Sequence, residues 1–233
     1  FRMVRVPSGL LTSLLNWCAS STYLTDISGM RKILTLVVLL VVANAQAAEP
    51  PTILVFGDSL SAGYGIDIDR SWVTLLQQRL EETGYEHRVV NASISGETTA
   101  GGATRIDNAI VTFEPELMIL ELGANDGLRG FPTASIQSNI ETIARRARDS
   151  GAEVVLLGIR IPTNYGVRYT QAFEAVFSDV AADLEIRWIE FFMDGIALND
   201  DLLQEDRIHP NAEAQPMLLD NAWPIIRATL DTQ

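Results

Sequence analysis

Cysteine is almost absent: Cys18 is the only one in 233 residues. An internal disulfide and a cysteine-held metal are therefore excluded. Histidine is nearly as scarce, with only His87 and His209. Base chemistry near neutral pH has just two imidazoles to draw on. Cations are outnumbered, 17 basic residues against 30 acidic, for a formal charge of -13. A chain so acidic is repelled by phosphate backbones, which argues against nucleic acid as a partner. No segment repeats at a fixed period, so a solenoid is excluded. What is plentiful is apolar side chain, 47% of the residues with 20% charged. That is enough for one ordinary globular core and too much for disorder.

The first 47 residues read differently from the rest. Arg31-Lys32 is followed by an 11-residue run, Ile33 to Ala43, apolar except for Thr35. Ala45 and Ala47 then stand where a signal peptidase reads small residues. This pattern predicts a secretory signal peptide over 30–47, cleaved after Ala47, and a periplasmic or secreted product. The run is too short to span a bilayer, so no stable membrane anchor is expected after cleavage. Residues 1–29 are an upstream extension of unknown role. The expected mature chain, 48–233, contains no cysteine and no lysine. Four basic residues and one acid precede Ala48, leaving 13 basic and 29 acidic, a charge of -16.

From residue 48 onward strand and helix patterns alternate. Short apolar runs at Ile53–Phe56, Val89–Ala92, Leu117–Leu122, Val154–Ile159 and Ile186–Phe192 read as strands, most of them buried on both faces. Helical spacing joins Trp72, Leu75, Leu76 and Leu80, then Ile136, Ile140, Ile143 and Ala147 with Gly151 as a stop, then Phe173, Val176, Phe177, Val180 and Leu184. Residues 98–112 make a weaker helix. The last, about 211–230, carries Pro216 and Pro224 and is expected to bend or break. Five strands separated by helices predict a three-layer α/β/α sandwich around a five-stranded parallel sheet, of the flavodoxin-like class. Chemistry in such folds sits beyond the carboxyl ends of the strands.

Four candidate pieces fall there. Gly57-Asp58-Ser59 follows the first strand, Ser95-Gly96-Glu97 the second, Gly123-Ala124-Asn125-Asp126 the third, and Asp206-Arg207-Ile208-His209 the last. Each has a plain structural reading. Gly-Asp-Ser suits a turn, Gly96 a positive φ, Asn125-Asp126 a helix cap, and Asp206 with His209 a surface pair. The first is not a G-x-S-x-G elbow, since position 61 is Ser. The histidines separate the readings. His87 precedes the second strand, at the wrong end of the sheet, and reads as an exposed polar residue. His209 lies at the right end, with Asp206 three residues before it. A carboxylate there can hold the imidazole's tautomer while the other ring nitrogen serves a nucleophilic serine. The N–H groups of Ser59 and Gly96 and the Asn125 amide can supply oxyanion donors.

Ser59, Gly96, Asn125 and the Asp206/His209 pair, in that order, resemble the four blocks of the SGNH, or GDSL, hydrolase superfamily. Asn91-Ala92-Ser93-Ile94-Ser95-Gly96, Glu121-Leu122-Gly123, Arg160-Ile161-Pro162-Thr163-Asn164-Tyr165-Gly166 and His209-Pro210-Asn211 look like its exported bacterial branch of multifunctional thioesterases, lysophospholipases and arylesterases. The resemblance implies a nucleophile at Ser59, a base at His209, its partner at Asp206, and oxyanion donors at Ser59, Gly96 and Asn125. It further implies a flexible segment beside an acyl groove, with Ile161, Pro162, Asn164 and Tyr165 meeting the substrate. The implied activity is hydrolysis of acyl esters or thioesters with no cofactor and no metal. A carbohydrate O-deacetylase on the same scaffold, or a non-catalytic lipid- or glycan-binding protein, are the alternatives.

Overall fold

The computed structural model describes residues 49–232. The signal-peptide reading of 30–47 and the extension 1–29 lie outside the described residues.

The first strand, β1 (Thr52–Gly57), is buried throughout. It runs into one turn of helix, α1 (Ser59–Ala62), and α2 (Trp72–Thr83) follows. Next come β2 (Arg88–Asn91), α3 (Thr99–Phe113), β3 (Pro115–Glu121), the short α4 (Ala124–Leu128) and α5 (Thr133–Asp149). The chain closes with β4 (Glu153–Leu157), α6 (Val167–Leu184), β5 (Arg187–Ile189) and α7 (Gln215–Leu230). All strands pair in parallel in the order β2-β1-β3-β4-β5. The connection out of β1 leads to one edge of the sheet, at β2, and the connection out of β3 leads toward the other, at β4, so a crevice opens between the carboxyl ends of β1 and β3.

Period-two alternation divides the sheet's side chains between two cores. Leu54, Phe56, Met118, Leu120 and Leu156 face α3, α5 and α6, whose Ile106, Ile140, Ile143, Phe173 and Phe177 complete one cluster. Ile53, Val55, Ile119 and Leu157 face α2 and α7, with Trp72, Leu76, Leu218 and Ile226. The three predicted helical stripes are buried, apart from the half-buried Leu75. Gly151 has the expected positive φ, 98°. The edge strands β2 and β5 are only partly buried, unlike the central three.

Two expectations are corrected in part. The final helix does not break at Pro224 but runs from Gln215 to Leu230. Pro216 sits in the first turn, where a missing N–H costs nothing. Pro224 is tolerated inside because Ala222 and Ile226 are buried around it. The fifth strand is three residues, not seven. Phe192 leaves the sheet to pack its ring 5.2 Å from that of Trp72. An apolar run does not distinguish a strand from a buried loop.

Candidate active site

Each candidate residue owes its place to a local stop signal. At the end of β1, the Asp58 carboxylate accepts from the Leu60 N–H at 3.1 Å and caps α1. The cap turns the chain so that Ser59 begins a helix, leaving its own N–H in the first turn without an intrahelical acceptor. After β2 a tight turn carries Gly96 at φ 81°, with open space where a side chain would point. Arg105 holds that turn from below. Its guanidinium pairs with Glu97 at 2.6 Å, donates to the Ala92 carbonyl at 2.8 Å and lies over the Phe56 ring. After β3, Gly123 at φ 127° starts α4.

The loop before α7 brings in the imidazole. His209 Nε2 lies 2.9 Å from Ser59 Oγ, and Nδ1 lies 2.6 Å from Asp206 Oδ2. The other Asp206 oxygen accepts the backbone N–H groups of Ile208 and His209 at 2.9 and 3.0 Å. Partial burial opposes the charge on Asp206. The bonds from His209 and Ile208 outweigh it and hold the carboxyl at about 2. The loop closes on itself through Gln204, whose N–H donates to the His209 carbonyl at 2.8 Å. Tyr64 stacks obliquely on the imidazole, ring centroids 4.5 Å apart.

The Asn125 side chain does not cap a helix, as its plain reading had it. Its amide donates to Asp58 Oδ2 at 3.1 Å. That leaves its second amide N–H for another acceptor. The neighbouring Asp126 is buried and accepts from the Thr99 N–H and hydroxyl at 2.9 and 2.6 Å. It therefore ties α4 to the start of α3, three residues beyond Gly96.

A cavity of about 230 Å³ opens beside Ser59, Asn125 and His209. Leu60, Leu128, Ile159, Ile161, Pro162 and Met193 give it an apolar wall. Of the four residues expected to meet substrate, Ile161 and Pro162 line it. Asn164 and Tyr165 do not: Asn164 is exposed on a turn of 3₁₀ helix. Tyr165 donates its hydroxyl to the Leu128 carbonyl at 2.7 Å and borders a separate surface groove.

His87 stands at the opposite end of the sheet, as expected, but is not exposed. Its side chain is 12% exposed, with Nε2 3.4 Å from Glu116. Glu121 and Ser61, near the site, are buried polar groups to which sequence reasoning assigned no role, and Asp126, read there only as part of a helix cap, is buried too. Glu121 carried a usable signal, an acid that directly follows the apolar run Leu117–Leu120, which is buried on both faces.

Residues 55–215 match the model of the GDSL-like Lipase/Acylhydrolase family. Over 201 residues the chain is 46% identical to Esterase TesA of Pseudomonas aeruginosa, covering 86% of this chain and all of that one. It is 38% identical over 181 residues to the Escherichia coli protein named thioesterase 1, protease 1 and lysophospholipase L1, covering 78% of this chain and 86% of that one. The crystal structure of a psychrotrophic esterase from Pseudoalteromonas, inhibited by monoethylphosphonate, superposes with a TM-score of 0.74 at 40% identity. It covers 77% of this chain and 98% of that one.

Proposed function

The chain belongs to the GDSL-like lipase/acylhydrolase family and is an ester-hydrolysing enzyme, and we propose that it cleaves acyl esters and thioesters through Ser59, His209 and Asp206. One observation carries this reading: a serine hydroxyl 2.9 Å from an imidazole whose other nitrogen is 2.6 Å from a carboxylate. Ser59 Oγ attacks the acyl carbonyl while His209 Nε2 takes its proton. Asp206 holds the ring orientation and stabilises the imidazolium. The developing oxyanion is received by the N–H groups of Ser59 and Gly96 and by the Asn125 amide. The imidazolium returns the proton to the leaving alcohol or thiol. Water, deprotonated by His209, then releases the acyl group and regenerates Ser59.

Ile161, Pro162 and the apolar wall beside them suit the acyl chain. The names of the relatives support both oxyester and thioester substrates. Residues 30–47 we assign to an export signal, with 48–233 as the hydrolase domain. Among the described residues no helix is long and apolar enough to cross a membrane. Mass spectrometry of product from an exporting bacterial host should find a start near Ala48.

The substrate reading is tested with p-nitrophenyl esters from acetyl to palmitoyl and with acyl-CoA. Hydrolysis should extend beyond acetyl to both chemistries and be blocked by a serine-directed phosphonate. Collapse beyond acetyl would instead identify a deacetylase.

A further inference from the structure

The mechanism uses no acid besides Asp206, yet two fully buried carboxyls lie beneath the nucleophile. Asp58 precedes Ser59, and Glu121 ends β3; both are 0% exposed. Glu121 Oε2 accepts from the Ser61 hydroxyl at 2.8 Å and from the Asp58 N–H at 3.3 Å. Its other oxygen is buried and finds no hydrogen-bond partner among the described residues. The sheet register sets Glu121 beside Gly57. A Cβ on Gly57 would come within 2.7 Å of Glu121 Oε2 and 2.9 Å of the Glu121 carbonyl oxygen. Gly57 is not in the left-handed region. Its lack of a side chain is therefore explained by the carboxyl packed against it.

The two acids are unequally served. Asp58 accepts from Leu60 and from the Asn125 amide, one bond to each oxygen. Glu121 receives its two bonds on one oxygen only. Neither acid is in an ion pair with an arginine or histidine among the described residues. A second buried charge beside the first would be uncompensated, whereas an uncharged acid costs far less to bury. A single negative charge therefore belongs on Asp58 and the proton on Glu121. Burial first, and then the Asp58 charge, push Glu121 well above the ordinary carboxylate range. Burial lifts Asp58 less, to about 6, because its hydrogen bonds oppose the rise.

We infer that Glu121 is a positioning residue for the reaction: as an uncharged acid it ties the Asp58–Ala62 turn to the end of β3, which holds Ser59 and leaves Asp58 as the anion that orients Asn125. The inference rests on Ser59 being the nucleophile and Asn125 an oxyanion donor. The chain of contacts is short. Glu121 fixes the Asp58 N–H and Ser61, on either side of Ser59, and Asp58 aims the Asn125 amide. A displacement of about 1 Å at such a centre is enough to cost ~10²-fold in rate.

The test compares Glu121→Gln with Glu121→Ala on a p-nitrophenyl ester, with melting temperatures alongside. Glu121→Gln keeps a neutral acceptor in place and should retain kcat within about threefold, while Glu121→Ala should lower kcat by ~10²-fold with KM little changed. A folded Glu121→Gln as impaired as Glu121→Ala would show that charge at position 121 matters, and would overturn the inference. An undiminished Glu121→Ala would overturn it too. Should Glu121→Ala not fold, infrared spectroscopy of the wild type near pH 7 decides. A protonated-carboxyl stretch missing from Glu121→Gln supports the inference, and its absence from the wild type overturns it. Ser59→Ala is measured in the same series. If it keeps full activity, the nucleophile assignment fails whatever Glu121 does. If it is dead and Glu121→Ala is indifferent, only the positioning role fails.

Discussion

Ser59 stands between two sets of carboxyls in opposite conditions. On the solvent side, Asp206 is 37% exposed at its side chain and collects three hydrogen bonds, two from backbone N–H groups and one from the imidazole. On the core side, Asp58 and Glu121 are sealed from solvent, with two hydrogen bonds apiece. The first is held charged down to about pH 2, and the others are pushed upward. The same functional group thus does two jobs. Where donors converge and water is near, it is held as an anion beside the imidazole, as the proposed mechanism requires. Where burial dominates, it becomes a structural acid that shapes a turn.

The comparison breaks most visibly if the solvent-side set is not the reactive one. Ser59→Ala and His209→Ala should each lower kcat by ~10⁶-fold, and Asp206→Ala by ~10⁴-fold, with folding intact. Steady-state rates and circular dichroism check this; a milder Ser59→Ala than Asp206→Ala would reverse the assignment.

Asn125 joins the two sets, because its amide rests on Asp58 while facing the cavity. Asn125→Ala should lower kcat by ~10²–10³-fold, about 2.7–4 kcal/mol, with little change in KM. Asn125→Asp should be at least as slow and should also melt earlier, since it sets a second carboxylate against Asp58. An active Asn125→Asp would mean that the oxyanion is held elsewhere.

The buried side is sharpened by the pH dependence of stability. Asp58 has a folded value near 6 against 3.8 unfolded. The native state therefore binds the extra proton between those limits, and stability falls as pH rises through that window. The shift corresponds to a loss on the order of 3 kcal/mol. Asp58→Asn should flatten denaturant-derived stability between pH 4 and about 6 relative to wild type, while slowing turnover because the Asn125 amide loses its anionic acceptor. An unchanged slope would place the proton elsewhere. By contrast, Asp206, depressed below its ordinary value, loses its contribution only as pH falls toward 2.

The smallest effect is expected at the other histidine. His87→Ala should leave kcat near wild type and cost a little stability through its contact with Glu116. Loss of activity there would show that the wrong imidazole was chosen.

The three central strands, the helical stripes and the four blocks at the carboxyl ends of the strands were legible in the amino-acid sequence because each rests on local periodicity or on topology. The limits of β5 were not, since Phe192 is equally apolar in a strand or in a loop packed on Trp72. Nor was the continuity of α7, where tertiary burial overrides Pro224. The site's outer rim was readable as residue types, but which of Ile161, Pro162, Asn164 and Tyr165 face the cavity depends on how the 3₁₀ turn is aimed. The floor was hidden for a different reason. The bonds of Glu121 to Asp58 and Ser61 join residues about sixty positions apart, and only sheet register brings them together.

The most direct test of the account is to label the protein with a p-nitrophenyl phosphonate and map the adduct by peptide mass spectrometry. A single adduct on Ser59, formed with loss of activity, absent from Ser59→Ala and greatly slowed in His209→Ala, is the predicted result. An adduct on another serine, or inactivation that proceeds equally well in Ser59→Ala, would contradict it.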